Sequence, residues 1–561
     1  GDISSATTNF KKSKVKLTKE TTIDGVVNFA GTDITLGIND LNIKDGAVKL
    51  SDKVTIHTKV NADASDVGNF VSAAGANNIT LDGELTIDLD DKDVTPQNND
   101  ELLVLIKGDT TGIDLSKIKV VAKNAYSKWI IGRDSANNFG LRQESQVADK
   151  AKDDIEKQGP AAKRLVRDEF LQAFEDAPIG SAASEFGRIT GGIEESEKRS
   201  DAWTRLSNTT GHVTNVVVVD ALNGTTETLS ARIGDLTSGI AIAVPSGNRG
   251  TAAPTTGGAT VSRTGIDTSE AASGISAGDD DSRYGLWGSP FYSDNTQKKI
   301  GDTPGYKSTA TGVTVGFDTK ANDDMILGGA LSFVRTEVKH KDHKVGDRTK
   351  VDSFMFSVYG LRQLTNNWFV QGLANFGTSK VNNYEKRRVS STNYETAQGN
   401  YTSTAFSGEA LVGYNHFANN FVITPMGGLN YTHVNDGSYR EKDTTNQNLD
   451  VIKKATQKLE LVAGLRASTM PHMVGGIAIT PEVHGFIRHD LIGKAPKIDI
   501  KLDGLNVVQP TTKVTMNKTF YNVGGGVNFA YNAMEYGASY DLHLTKKYVG
   551  HQGSLKVRIN F

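Results

Sequence analysis

Apolar and polar residues alternate along much of this chain, and the character of the alternation changes three times. Over residues 12–142 it comes in short pieces, Val15–Leu17, Val26–Phe29, Ile34–Leu36, Leu41–Ile43, Val54–Ile56, Ile79–Leu81 and Leu85–Ile87, divided by Gly, Asn and Asp. Short strands at roughly even spacing predict a right-handed β-solenoid, with a β-sandwich as the other candidate. The apolar stretch Leu102–Ile106, with Ile118–Val121 and Trp129–Ile131, is expected to close that stack. From residue 146 to about 208 the period turns helical, with Val166, Phe170 and Phe174 on one stripe suited to helix–helix packing. A further helix is expected from about Thr226 to Leu236, and Asp267–Glu270 suits the cap of another short one. Residues 238–282 are rich in Gly, Pro, Ser and Thr and predict a flexible segment.

From Arg283 onward the alternation is long, and twelve strands are expected to begin near residues 283, 307, 325, 350, 367, 398, 420, 454, 475, 514, 534 and 551. Their connections alternate in length. Short turns stand at 321–323, 365–367, 418–420, 471–472 and 531–533, and long polar segments near 293–306, 338–349, 385–397, 436–453 and 492–513. An even strand count with short turns at one end and long loops at the other predicts a transmembrane β-barrel of the bacterial outer membrane. Parity assigns the faces. In the last strand Leu555, Val557, Ile559 and Phe561 fall on one side, and Ser554, Lys556, Arg558 and Asn560 on the other. In the strand before it Glu535 and Asp541 share a side opposite Tyr536 and Leu542. Lys556, Arg558, Asp541 and Glu535 are therefore expected to face a lumen holding water or a polar plug, because a dry interior would make a charged row very costly.

Composition is compatible with this architecture. Hydrophobic content is 37% and mean hydropathy −0.37, and no apolar run reaches the roughly 18–20 residues of a membrane-crossing helix, a limit that does not apply to barrel strands. The balance of 62 basic and 65 acidic residues gives no general reason to expect a nucleic-acid partner. Cys is absent, which excludes disulfides and thiolate metal sites. The chain starts at Gly1 without a signal segment and reads as a piece of a longer precursor.

Tyr284–Tyr292 (YGLWGSPFY), Gly305–Asp318, Met534–Gly537 and the ending His551–Phe561 (HQGSLKVRINF) resemble the β-domain of autotransporters, the type V secretion family, and more narrowly the rickettsial outer membrane protein B and surface cell antigen group. The resemblance implies an outer-membrane translocation unit that anchors and exports an N-terminal passenger, a host-cell adhesin. It implies four regions: residues 1–142 the end of a β-solenoid-like passenger, 143–237 a mostly helical connector, 238–282 a linker threading the pore, and 283–561 the barrel. The outer-membrane assembly machinery would read Val557, Ile559 and Phe561 in the last strand. Other implied partners are outer-membrane lipid, the chain's own passenger and host receptors, and the 102–131 segment is a candidate for nucleating passenger folding. The alternative is a pore or anchor with a periplasmic N-terminal domain.

No cofactor, metal or turnover chemistry is expected. Gly274–Gly278 (GISAG) fits a nucleophile-elbow pattern around Ser276, but no buried strand precedes it, so an exported esterase ranks below a chance match. His340 and His343 offer two imidazoles where a metal site usually needs three or four ligands, and read instead as part of an exposed basic loop. Asp279–Asp281 are candidates to pair with Lys556 and Arg558, a reading that ranks below a solvated entry to the first strand for any one of them. Lys298, Lys299, Lys344, Arg348, Lys386, Arg387 and Arg388 read as solvated outer-loop charge, with attraction to lipopolysaccharide or acidic host surfaces as a further hypothesis.

Overall fold

In a computed structural model, the chain is described over residues 2–561 apart from 45, 63, 73–78, 208–209, 238–283, 323, 366, 494–496, 504, 506–508 and 511–516. In the N-terminal region Ile3–Lys11, Thr21–Ala30, Val48–Lys59, Ile79–Asp90 and Ile118–Ala122 pair in parallel, each with a partner one layer further along the chain. The register sets like beside like. Val27 lies opposite Val48 and Val48 opposite Ile79, while Ile34, Ile56 and Ile87 form a second aligned row, all fully buried. Phe10 stacks on Phe29 at 5.0 Å. A second parallel ladder joins Leu41–Lys44 to Phe70–Ser72 and that strand to Leu103–Lys107. There the parallel order stops, because Leu103–Lys107 meets Phe139–Ser145, and that strand Ser127–Arg133, in antiparallel pairs.

Five short helices follow: α1 Val147–Lys157, α2 Pro160–Leu165, α3 Asp168–Glu175, α4 Ala182–Gly191 and α5 Ser196–Arg205. Pro160 opens α2 where its missing N–H costs nothing, and the Ser181 hydroxyl accepts from Ser184 N to cap α4. Their core is aromatic. Trp203 lies 4.7 Å from Phe174 and 4.8 Å from Phe186, and its Nε1 donates to Tyr126 Oη at 2.8 Å. Val166, Phe170 and Phe174 are all buried, although Val166 is an extended residue between α2 and α3 rather than part of a continuous helical stripe. A sixth helix, α6, runs Thr210–Thr237, well beyond the expected Thr226–Leu236.

The C-terminal half is a closed antiparallel ring of twelve strands, counted here from one to twelve: Tyr284–Gln297, Tyr306–Asn322, Met325–His340, Arg348–Gln363, Trp368–Arg388, Tyr394–Tyr414, Phe421–Asp436, Thr456–Thr469, Ile477–Asp490, Thr519–Tyr531, Met534–Thr545 and Tyr548–Asn560. Strands one and twelve close it. Leu286 stands opposite Ile559, and Tyr284 and Phe561 exchange both backbone hydrogen bonds at 3.0 Å. All connections at the Phe561 end are short. At the other end the loops after strands one, three, seven and nine are longer. The segment expected to be long at 385–397 shrinks to 389–393, because strands five and six run on through Arg388 and from Tyr394. The last connection is a tight turn at Lys546–Lys547, with Thr545 paired to Tyr548. The loops after strands seven and nine fold into a small sheet of Tyr439–Arg440, Leu449–Lys453, Ile498–Leu502 and Gln509–Pro510.

Polarity is inverted relative to a water-soluble protein. Leu331 (65% exposed), Phe354 (60%) and Leu555 (60%) point outward, while Arg558, Arg387 and Lys344 are completely buried. Exposed apolar residues continue around the outer wall, including Val315, Phe376, Leu465 and Val483. A surface of that extent calls for an apolar solvent. Strands of 12–21 residues exceed the roughly 9–11 needed to cross a bilayer at a tilt.

Candidate functional site

Helix α6 occupies the inside of the ring. Its first half meets the long-loop end, where Asn215 Nδ2 donates to Asp436 Oδ2 at 3.2 Å. Midway, Thr226 Oγ1 accepts from Asn375 Nδ2 at 2.9 Å and Gly224 lies against Phe291 and Gln552. Its last turns reach the short-turn end, packing Leu229, Ile233 and Leu236 with Trp287, Ile326, Tyr359 and Phe369. At about 1.5 Å per residue, 28 residues extend about 42 Å, enough to span a bilayer with its interfaces. Thr225 and Thr228 return their hydroxyl protons to the carbonyls of Ala221 and Gly224, so they are tolerated in a fully enclosed helix.

Ionic contacts tie this helix to one arc of the ring, strands two, eleven and twelve. Arg232 donates to Asp318 at 2.9 and 3.1 Å and stands 3.6 Å from Glu535, while Arg558 contacts the same two carboxylates at 2.9 and 2.6 Å. Tyr359 donates to Asp318 at 3.0 Å and accepts from Trp287 Nε1 at 2.8 Å. Asp235 is bonded by Lys556 and, at 3.1 Å, by Asn528. Higher up, Glu409 pairs with Arg488 at 2.7 Å, and His543 stands 3.4 Å from Glu227. Between the helix and strands one and seven to twelve lies a cavity of about 180 Å³, lined by Asp220, Glu227, Lys458, Arg488 and His543 among others.

Residues 286–541 match the family described as autotransporter beta-domain. The chain carries an autotransporter β-domain. Over 99% of its length it is 30% identical to outer membrane protein A of Rickettsia conorii, of which it covers 27%. It is 39% identical over 51% of its length to outer membrane protein B of Rickettsia rickettsii, of which it covers 18%. The chain thus spans about a quarter or less of these relatives. Among solved structures it is similar to the translocator domain of autotransporter NalP from Neisseria meningitidis, with a TM-score of 0.41 and 20% identity, covering 50% of this chain and 88% of that one. The β-domain and these relatives place the chain in the bacterial outer membrane.

Within the β-domain, Lys556, Arg558 and Glu535 meet α6 or the carboxylates around it, whereas Asp541 reaches His484 over Gly524 of the intervening strand ten at 2.8 Å. Val557, Ile559 and Phe561 are exposed on the outer wall. The stretch expected to thread the pore, 238–282, lies outside the described residues, as do Ser276 and Asp279–Asp281. The helix inside the ring instead belongs to the stretch read as connector.

The loop charges require correction. Lys344 is fully buried, bonding Glu385 at 3.1 Å and the Arg205 carbonyl at 2.9 Å. Arg387 contacts Glu441 at 2.8 and 2.9 Å, and Arg388 contacts Asp201 at 2.7 Å. They sit inside the contact between loops and helices, where paired carboxylates replace water. His340 is likewise buried, 3.1 Å from Thr349 Oγ1, rather than displayed on a solvated loop. Arg164 to Asp302 at 2.6 Å, Arg205 to Asp347 at 3.5 Å and Gln509 Nε2 to the Leu165 carbonyl at 2.9 Å complete that docking.

Proposed function

We propose that the chain is the translocating and anchoring end of an autotransporter whose N-terminal region is displayed on the cell surface. The path of α6 carries the reading. The helices α1–α5 lie against the long loops, α6 runs from there to the short-turn end, and strand one begins at that same end beside Phe561. Short turns belong to the periplasmic side of outer-membrane barrels and long loops to the outside. A chain that passes outward through the ring and leaves its last crossing segment behind has this layout.

The exported part is read as a β-solenoid-like passenger end over residues 1–142. Its support is the succession of parallel pairs, Ile3 with Ile23, Val27 with Val48, Val48 with Ile79 and Leu85 with Ile118. Such a stack has open edges onto which further layers can add, and the antiparallel strands at 103–145 form the end from which folding outside would start. Phe561 with Val557 and Ile559 is the strand end offered to the assembly machinery, since all three are exposed beside the seam with strand one. Binding of host receptors by the displayed region extends the same reading. Its motive is kinship with surface proteins, one of them named putative surface cell antigen sca2 of Rickettsia conorii.

The test is an epitope tag inserted after Ile38, an exposed turn residue, in a chain expressed behind a signal peptide. Intact cells are treated with a protease that does not cross the outer membrane. Loss of the tag with the barrel retained is expected. Protection of the tag in cells with a correctly inserted barrel would leave a pore or anchor with a periplasmic domain.

A further inference from the structure

The outer wall carries a charge pattern that translocation does not use. Near the long-loop end of strands two to five the outward positions are basic: Lys307, Lys339 and Arg348 lie directly opposite one another across two adjacent ladders. Glu337 and Lys350 form the next row, and Arg335, Asp352 and Lys380 the row after that. Lys307 is matched by Asp294 at 2.9 Å and Arg335 by Asp352 at 2.7 Å, but Lys339, Arg348, Lys350 and Lys380 have no ion-pair partner among the described residues. With Asp294, Glu337 and Asp352 as the outward carboxylates here, positive charge is in excess. Like charges directly opposite on a sheet, about 5 Å apart, destabilise it unless an anion lies between them.

Two features narrow the anion. Immediately below the charged rows, on the same strands, come Val313, Phe333 and Phe354, then Val315, Leu331, Phe356 and Phe376. Arg335 is two residues from Phe333, about 7 Å along a strand, and its guanidinium lies 5.8 Å from that ring. The basic face is also one-sided. Corresponding outward positions on strands six to nine include Asn400, Thr402, His433, Gln457 and His489, none of them Lys or Arg. General anchoring at an interface would distribute basic residues around the ring, whereas a bound headgroup accounts for their concentration on four strands.

We propose that strands two to five bind one phosphate-rich acyl lipid of the outer leaflet, of the diphosphorylated lipid A type, with its phosphates between Lys339, Arg348 and Lys350 and its chains along Leu331, Phe354 and Phe356. This assignment rests on the long-loop end facing outward. The displayed-tag test run on the same variants separates failure of that orientation from failure of the lipid site.

The experiment uses the full chain refolded in phosphatidylcholine nanodiscs and measures retention of added diphosphoryl lipid A by native mass spectrometry. Wild type is expected to retain it in preference to phosphatidylcholine, with retention falling as salt rises. Lys339→Gln/Arg348→Gln should weaken it about tenfold, while Glu337→Gln, which removes the carboxylate between the basic rows, should hold it at least as well. Arg362→Gln, at the opposite end of strand four, should change nothing. Heat-modifiable migration on gels reports folding of each variant. Equal retention by the double variant, or no preference over phosphatidylcholine, would overturn the site. Displacement by millimolar inorganic phosphate would reduce it to a phosphate site and overturn the lipid.

Discussion

At the residue scale, the most constrained group is the set of charges around Asp318. Arg232 from the helix and Arg558 from strand twelve share Asp318 and Glu535, and all four are removed from water. Breaking a buried ion pair by removing one partner costs about 3–5 kcal/mol, because the other charge stays behind without compensation. Arg558→Met is therefore expected to lower the temperature at which the folded band on a gel converts to the unfolded one, while Lys350→Gln on the outer wall leaves it unchanged. A single shared transition temperature for both would remove the network from the barrel's stability. In the N-terminal region Asp91 is fully buried, accepting from Trp129 Nε1 at 2.7 Å and from the amides of Lys123 and Asn124 at 2.8 Å. Burial raises its pKa above 3.8 despite those bonds. The folded form thus favours the protonated acid: that stabilisation is complete below the unfolded pKa and is lost as pH rises through the folded one. Relative to Asp91→Asn, the urea midpoint of this region should fall as pH is raised above about 4. A difference between the two that does not vary with pH would contradict this.

At the element scale, the strands were legible and the helix in the lumen was not. Tyr284, Tyr306, Met325, Trp368, Phe421 and Met534 begin strands within one residue of the expected starts. The two-residue period of a strand with one face in lipid survives in the sequence, since Leu555, Val557 and Ile559 alternate with Ser554, Lys556 and Arg558. No such signal marks α6. A helix on a surface shows an apolar stripe, but one enclosed by a ring meets wall on every side. It alternates neither way: Val217 and Val218 stand beside Asn215, Thr225 and Thr226, all buried. The weak cue was Thr226–Leu236, where Leu229, Ile233 and Leu236 share a face, and its partners Asp318, Glu535 and Lys556 lie about 80 to 320 residues away in sequence. Long-range pairing of that kind is invisible to local periodicity. The same enclosure gives a prediction. In-frame removal of residues 210–237 should raise single-channel conductance in planar bilayers several-fold over the intact chain, because the helix occupies the ring along its whole depth. Equal conductance with and without it would mean that α6 does not occlude the ring.

At the scale of the whole molecule, the contact between helices and loops decides where the protein comes apart. Lys344 and Arg387 both donate to the Arg205 carbonyl, at 2.9 and 3.2 Å, at the very end of α5. Arg388 reaches back to Asp201 in the same helix, and one apolar cluster runs from Trp203 and Phe170 through Leu449 and Ile500 to Met355 inside the ring. An isolated surface ion pair contributes little, but these are shielded from solvent and continuous with packed apolar side chains, so separating the bundle from the loops exposes both at once. The bundle should therefore stay with the barrel when the N-terminal strands are lost. Shaving of intact cells is expected to yield a protected fragment beginning near residue 146, containing α1–α5, rather than one beginning beyond Thr237. Protection starting after the helices would mean that the bundle undocks readily, and that α6 alone fastens the N-terminal region to the barrel.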